Sequence, residues 1–224
     1  MTKPSRFWFL NSVEQQLNLP EGTCLHLSSG KILKRFEINA QIKKTQPNNS
    51  AVYWLSKGLL KIGRFSSNGV TLKYLVPQNQ FFGEMALAQA EDPAFFATAV
   101  RDCNIIYINL PTANNLMTEY PEFRDHMLER ISHRVKKLED RLEELANHDS
   151  QTRVIRFLEK LSNDFGENQP GKRVVPNFLK NREIAQLTFT SRQTVNAVMN
   201  ELKRKKQIDF DQKSITFLNP DLHC

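Results

Sequence analysis

Lys180-Asn181-Arg182-Glu183-Ile184-Ala185-Gln186-Leu187-Thr188-Phe189-Thr190-Ser191-Arg192-Gln193-Thr194-Val195 is the stretch on which the reading of this chain turns. Residues 180–187 read as a short amphipathic helix with Ile184 and Leu187 facing inward. Thr188-Phe189-Thr190 is a turn of about three residues. Thr190 or Ser191 then caps a second helix, because a short hydroxyl can accept from an orphan N–H of the first turn. Val195, Val198, Met199 and Leu202 recur at the spacing of one buried helical face. Two short helices joined by so tight a turn predict a helix-turn-helix.

The residues left on the outer side of the second helix suit DNA. Arg192 matches the two acceptors of a guanine edge, and Gln193 or Asn196 matches adenine. Thr190, Ser191 and Thr194 are short hydroxyls near a helix N-terminus, placed for phosphate oxygens. Lys180, Asn181 and Arg182, at the head of the first helix, are further candidates. Downstream, Lys203-Arg204-Lys205-Lys206 reads equally as cations favoured at a helix C-terminus and as phosphate attraction. Gln207–Phe210 and Ser214–Leu218 alternate around Asp211-Gln212-Lys213, which predicts a small hairpin, the wing of a winged helix, with Lys213 at its tip. Residues 147–224 carry 13 Lys and Arg against 9 Asp and Glu, a surplus of 4.

Upstream, residues 121–146 hold no Gly and no Pro after Pro121, and helix formers dominate. Leu128, Ile131, Val135, Leu138, Leu142 and Leu145 are separated by 3, 4, 3, 4 and 3 residues. A seam this narrow is that of a coiled coil, not of a core-facing helix, and predicts pairing with a second copy of the chain. Asn147-His148-Asp149-Ser150 breaks the pattern and offers cap residues for a helix over 151–161. Residues 163–171 read as a polar loop.

The first half is built differently. Ala51–Leu55, Leu59–Ile62, Val70–Leu75, Phe95–Val100 and Ile105–Leu110 read as short strands. Asn68-Gly69 between two of them is a hairpin signal, since φ > 0 is cheap for both residues. The expected fold class is α+β. An N-terminal antiparallel β-roll (double-stranded β-helix or jelly-roll-like, 1–120) is followed by a long dimerisation helix (121–146) and a C-terminal winged helix-turn-helix (147–224).

Composition narrows the function. The 224 residues are 40% hydrophobic and carry a net charge of +7, which favours an anionic partner, nucleic acid before acidic membrane. Cys24, Cys103 and Cys224 are too few and too scattered for a disulfide framework, a CxxC metal site or an iron–sulfur cluster. Cys103, ahead of an apolar run, is expected to be a buried thiol. The first residues lack the apolar core of a secretory signal, and no run is long enough for a membrane span. A cytoplasmic protein is expected. No catalytic motif stands out, so no enzyme activity, cofactor or metal is expected.

At this point the chain resembles the Crp/Fnr superfamily of bacterial transcription regulators. In the sheet region the resemblance rests on Lys57-Gly58 before Leu59-Leu60-Lys61-Ile62, on Gly69 and on Phe81-Phe82-Gly83-Glu84-Met85-Ala86-Leu87, which are similar to the landmarks of the family's cyclic-nucleotide-binding roll. In the tail it rests on Arg182-Glu183-Ile184-Ala185 and Thr190-Ser191-Arg192-Gln193-Thr194-Val195. The resemblance implies a homodimer on a near-palindromic site, RNA polymerase as a partner, and Arg192 as the guanine-preferring reader. Gln193 stands where many members have Glu, Ala197 where many have a second Arg, and Phe189 where the turn often has Gly; for Phe189 the expected role is core packing.

The effector site departs from the pattern. The family's cyclic-nucleotide binders follow Gly-Glu with an Arg-Ser pair about ten residues later. Here Pro93-Ala94-Phe95-Phe96-Ala97-Thr98-Ala99 offers no charge for a phosphate. Leu138 and Glu139 stand where purine-contacting hydroxyls would be. Control by cAMP or cGMP is therefore not expected, and Gly83-Glu84 reverts to a tight turn. Gly83, Glu84, Met85, Phe95, Phe96 and Leu138 remain the candidate effector pocket, and the effector is left open. The alternative is a small-molecule sensor whose roll is the working part, with cyclic nucleotide or haem ranked lower. His126 and His133 share a helix face but read as solvated surface residues.

Overall fold

The computed structural model describes residues 24–27, 32–34, 51–67, 69–88 and 95–218. They form two compact units. The first holds the described residues up to Lys136 except Thr71–Lys73; the second holds those three and the residues from Lys137 onward.

Strands β1 (Cys24–Leu27), β2 (Ile32–Lys34), β3 (Ala51–Ser66), β4 (Gly69–Pro77), β5 (Gln80–Phe82) and β6 (Phe95–Asn109) make one sheet in the order β1-β6-β3-β4, with β2 also on β6 and β5 on β3. β6 runs antiparallel to β1, β2 and β3. This is the expected antiparallel roll. Successive side chains of a strand point to opposite faces. Ala51, Tyr53 and Leu55 therefore enter one core with Leu60, Ile62, Val76 and Phe82. Val52 and Trp54 enter a second with Phe81, Ile108, Leu116, Phe123 and Met127. Burial on both faces explains why 51–55 is a continuous apolar run.

The strands are longer than their sequence suggests. Ser56-Lys57-Gly58 does not break the chain; it lies inside β3, where the register against β6 shifts between Leu55 and Leu60. Gly58 has φ +109, and a Cβ there would lie 2.5 Å from the Cys103 sulfur. The chemistry of a turn serves here as a bulge. Likewise 95–109 is one strand, and Leu110, expected at a strand end, starts helix α1 (Leu110–Glu119). Asn109 Oδ1 accepts from Thr112 N at 2.8 Å, and Pro111 in the first turn costs no hydrogen bond.

Helix α2 (Pro121–Asn147) buries Phe123 and Met127 and leaves much of the predicted seam in solvent. Leu128, Val135, Leu138, Leu142 and Leu145 are exposed, Leu142 by 67%, and Ile131 is half-buried.

The second unit continues with α3 (Ser150–Phe165), whose cap Asp149 accepts from Thr152 N at 2.8 Å. That bond holds the Asp149 carboxyl below its ordinary pKa. Strands β7 (Glu167–Gln169) and β8 (Lys172–Pro176) follow, then α4 (Asn181–Leu187), α5 (Arg192–Arg204), β9 (Ile208–Phe210) and β10 (Ser214–Phe217). The sheet order is β7-β8-β10-β9. The polar loop expected at 163–171 is instead the end of α3 and a hairpin turning at Gly171, φ +71. All of β7 is exposed, so no apolar alternation marks it.

Candidate nucleic-acid interface and the buried cluster of the roll

Helix α4 is held by Ile184, Ala185 and Leu187, all buried, and by its own N-terminus, where the Lys180 N–H donates to the Glu183 carboxylate at 2.7 Å. The turn then closes through backbone and hydroxyl bonds. Thr188 Oγ1 donates to Ile184 O at 2.9 Å, and Thr190 N donates to Ala185 O at 2.9 Å. Ser191, not Thr190, caps α5, accepting from Thr194 N at 3.0 Å. The helix predicted to begin near Thr190 thus starts at Arg192 and buries Val195, Val198, Met199 and Leu202.

This seating fixes what faces outward. Ser191, Arg192 and Gln193 are exposed, as are Lys180, Arg182 and Lys213; Thr190 and Thr194 are half-buried. Asn181 and Asn196, predicted as separate contacts, are joined by a hydrogen bond at 2.5 Å from Asn181 Nδ2 to Asn196 Oδ1. Asn196 is therefore half-buried and oriented by the first helix of the motif, not freely exposed. Phe189 overturns its expected packing role: it is 55% exposed, with φ +51. A left-handed backbone costs a residue with a side chain roughly 1–2 kcal/mol, and the apolar ring offsets little of that in solvent.

The wing matches its prediction, with β9 and β10 antiparallel. Asp211 Oδ1 accepts from Lys213 N and Ser214 N, each at 2.7 Å, which lowers its pKa. Lys203 Nζ lies 2.7 Å from Asp209 and 5.2 Å from the Phe210 ring centroid, so this member of the cationic run braces the wing. Lys205 pairs with Glu201 at 3.2 Å, one turn back on α5.

In the roll, Gly83 has φ +78, and a Cβ there would lie 2.8 Å from the Tyr53 ring and 3.0 Å from Ala51 O. The turn places Glu84 in the interior. Its Oε1 accepts from Arg134 Nη1 of α2 at 2.5 Å, and the Arg134 guanidinium stands 5.1 Å from the Tyr74 ring centroid. Gly83-Glu84 is thus more than a tight turn: it carries the buried half of an ion pair whose other half, Arg134, is one-third exposed. Burial pushes the Tyr74 hydroxyl up to about 12, against a smaller opposing pull from Arg134. For Arg134, burial opposes the charge, and Tyr74 and Glu84 outweigh it. Neither Arg134 nor Tyr74 was among the predicted site residues. Their signal was available in part, since Phe123, Met127 and Arg134 fall at spacings of four and seven, on one helix face.

The other predicted effector residues differ in burial. Met85 is exposed, Phe95 is half-buried against the core, and Phe96 is buried with its ring 4.6 Å from that of Phe65. Leu138 is 51% exposed. His126 is no surface residue: it is half-buried, its ring 5.5 Å from Phe81 and Nδ1 3.4 Å from Glu129. His133 is exposed. Cys103 is buried as expected, and burial raises its pKa. Among the described residues no group of His, Cys, Asp and Glu is placed to hold a metal, and no helix is long and apolar enough to cross a membrane.

A roll of this kind, a long helix with an uncovered apolar seam, and a winged helix-turn-helix together define a sensor-linked DNA-binding class. Comparison with known proteins gives the same result. Residues 34–120 match the cyclic nucleotide-binding domain, and residues 152–222 match the Crp-like helix-turn-helix domain. A global nitrogen regulator of Synechococcus elongatus is 29% identical over 200 residues, covering 87% of this chain and 90% of that protein. A CRP-like cAMP-activated global transcriptional regulator of Mycobacterium tuberculosis is 26% identical over 73% of this chain and 74% of that one. In fold, the chain is similar to a CRP/FNR-family transcriptional regulator from Thermus thermophilus, with TM-score 0.67 and 22% identity over 88% of this chain and 94% of the other. The chain belongs to the Crp/Fnr superfamily and is a Crp/Fnr-like transcription regulator.

Proposed function

We propose that this regulator binds a near-palindromic DNA site as a homodimer. In this reading, α5 enters the major groove and residues 121–146 of α2 pair with the same residues of a second copy. The observation that carries it is the division of α5. Val195, Val198, Met199 and Leu202 are turned to the core, and Arg192 and Gln193 stand exposed directly after the Ser191 cap. Arg192 reads guanine, and Ser191 and Thr194 bind phosphate, with Lys180, Arg182 and Lys213 adding charge. The exposed seam of α2 supports pairing, since soluble chains seldom leave such a stripe uncovered. RNA polymerase is the further partner this reading names.

Neither cAMP nor cGMP is the controlling ligand in this reading. Phe95 and Phe96 occupy the segment where a cyclic phosphate would need a cation, and Glu84 already has a counterion in Arg134.

The test is Arg192→Ala. Specific binding should weaken by roughly 1–3 kcal/mol with relaxed preference at one base pair, while binding to random duplex changes little. Unchanged affinity for both duplexes would refute the assignment of α5. Titration with cAMP and cGMP should give no heat and no melting shift; stabilisation by either would refute the reading of the roll.

A further inference from the structure

One arginine of α3 reaches three backbone carbonyls. Arg153 Nη1 donates to His148 O at 2.7 Å, Nε to Thr188 O at 3.0 Å, and Nη2 to Phe189 O at 3.0 Å. The three carbonyls come from two places. His148 is the residue between the end of α2 and the cap of α3. Thr188 and Phe189 form the turn between α4 and α5.

The turn needs such support. Phe189 is held left-handed, a conformation glycine adopts freely and phenylalanine does not, and its exposed ring contributes little packing to fix it. Thr188 follows the last turn of α4, where carbonyls lack intrahelical partners. A planar guanidinium can serve several carbonyls at once in fixed geometry, which a lysine ammonium on its flexible stem cannot. From this turn the chain passes through only Thr190 and Ser191 before α5 begins at Arg192.

We infer that Arg153 is a positioning residue for DNA reading: it ties the α2–α3 link to the turn and so sets where α5 starts. It needs no contact with DNA. This rests on the proposal that α5 reads the site, and the two can fail separately.

The experiment uses the full-length protein, a specific near-palindrome and random duplex at one salt concentration. The variants are Arg153→Lys, Phe189→Gly, both together, and Arg192→Ala. Arg153→Lys should lower specific affinity roughly tenfold while binding to random duplex changes by less than about twofold. Phe189→Gly alone should bind specifically as the parent does. Added to Arg153→Lys it should recover most of the lost specific affinity, because glycine removes the resistance that Arg153 overcomes. Melting curves give the folded fraction of each variant. If Arg153→Lys weakens both duplexes equally, or only in step with its folded fraction, Arg153 is structural and the inference falls. It also falls if the two substitutions act additively. If Arg153→Lys does not fold, the double variant still decides: specific affinity near that of Phe189→Gly alone supports the inference, and a tenfold deficit against it overturns it. If Arg192→Ala leaves specific binding unchanged, the DNA-reading assignment falls instead.

Discussion

The roll and the DNA-binding unit handle charge in opposite ways. In the roll, Arg134 turns inward, meets Glu84 at 2.5 Å and lies over Tyr74. In the other unit, Arg192 stays in solvent at the start of α5. A charge taken from water needs a counterion, and one that has its counterion inside has little left for a ligand. A charge left at the surface keeps its water until an outside anion displaces it. The same contrast holds for apolar groups. Strand side chains of the roll fill two cores, the second completed by Phe123 and Met127 of α2, whereas Leu128, Val135, Leu138, Leu142 and Leu145 of the same helix are exposed.

The largest test of this contrast is Leu138→Asp in the exposed seam. Two copies change in a dimer, and burial of one leucine is worth roughly 1.5–3 kcal/mol. Association should weaken by about 3–6 kcal/mol, with each monomer still folded, as read by sedimentation and circular dichroism. A fully dimeric variant would mean that the seam is not the interface.

Next comes Arg134→Met, which leaves Glu84 buried without its partner. Arg134 is itself one-third exposed, so the cost belongs at the low end for broken buried pairs, about 3 kcal/mol in urea denaturation. Arg192→Ala should change stability by no more than about 0.5 kcal/mol. Equal stability losses for the two would erase the distinction between an inward and an outward arginine.

The smallest effect is the ionisation of Tyr74. Burial favours its neutral form, so its folded pKa of about 12 lies above the ordinary 10.0. Its contribution to stability is whole below pH 10.0 and is lost as pH rises toward 12. Phenolate absorbance should show one tyrosine titrating near 12, absent in Tyr74→Phe. Titration of that tyrosine near 10.0 would mean the cluster is open to water.

The DNA-binding motif was legible in the sequence because its signals are local. A buried face at helical spacing, a three-residue turn and a hydroxyl cap all lie within residues 180–202. The seam of α2 was legible for the same reason. What escaped depends on distance or on backbone geometry. Glu84 and Arg134 are 50 residues apart, and nothing local marks them as a pair. Glu167-Asn168-Gln169 forms a strand through partners, not through pattern. Phe189 reads as core from its hydrophobicity, yet the left-handed turn leaves its ring in solvent. Gly58 reads as a turn residue, and its positive φ is real, but the strand runs on through it.

Gly83 carries one more consequence. A side chain there would collide with Tyr53 and the Ala51 carbonyl, groups that belong to the roll itself. Selection would therefore remove substitutions at this position whatever occupies the interior. In this chain the Gly-Glu pair is accounted for by the packing of Gly83 and the Arg134 partner of Glu84, so its presence alone is no argument for a bound nucleotide.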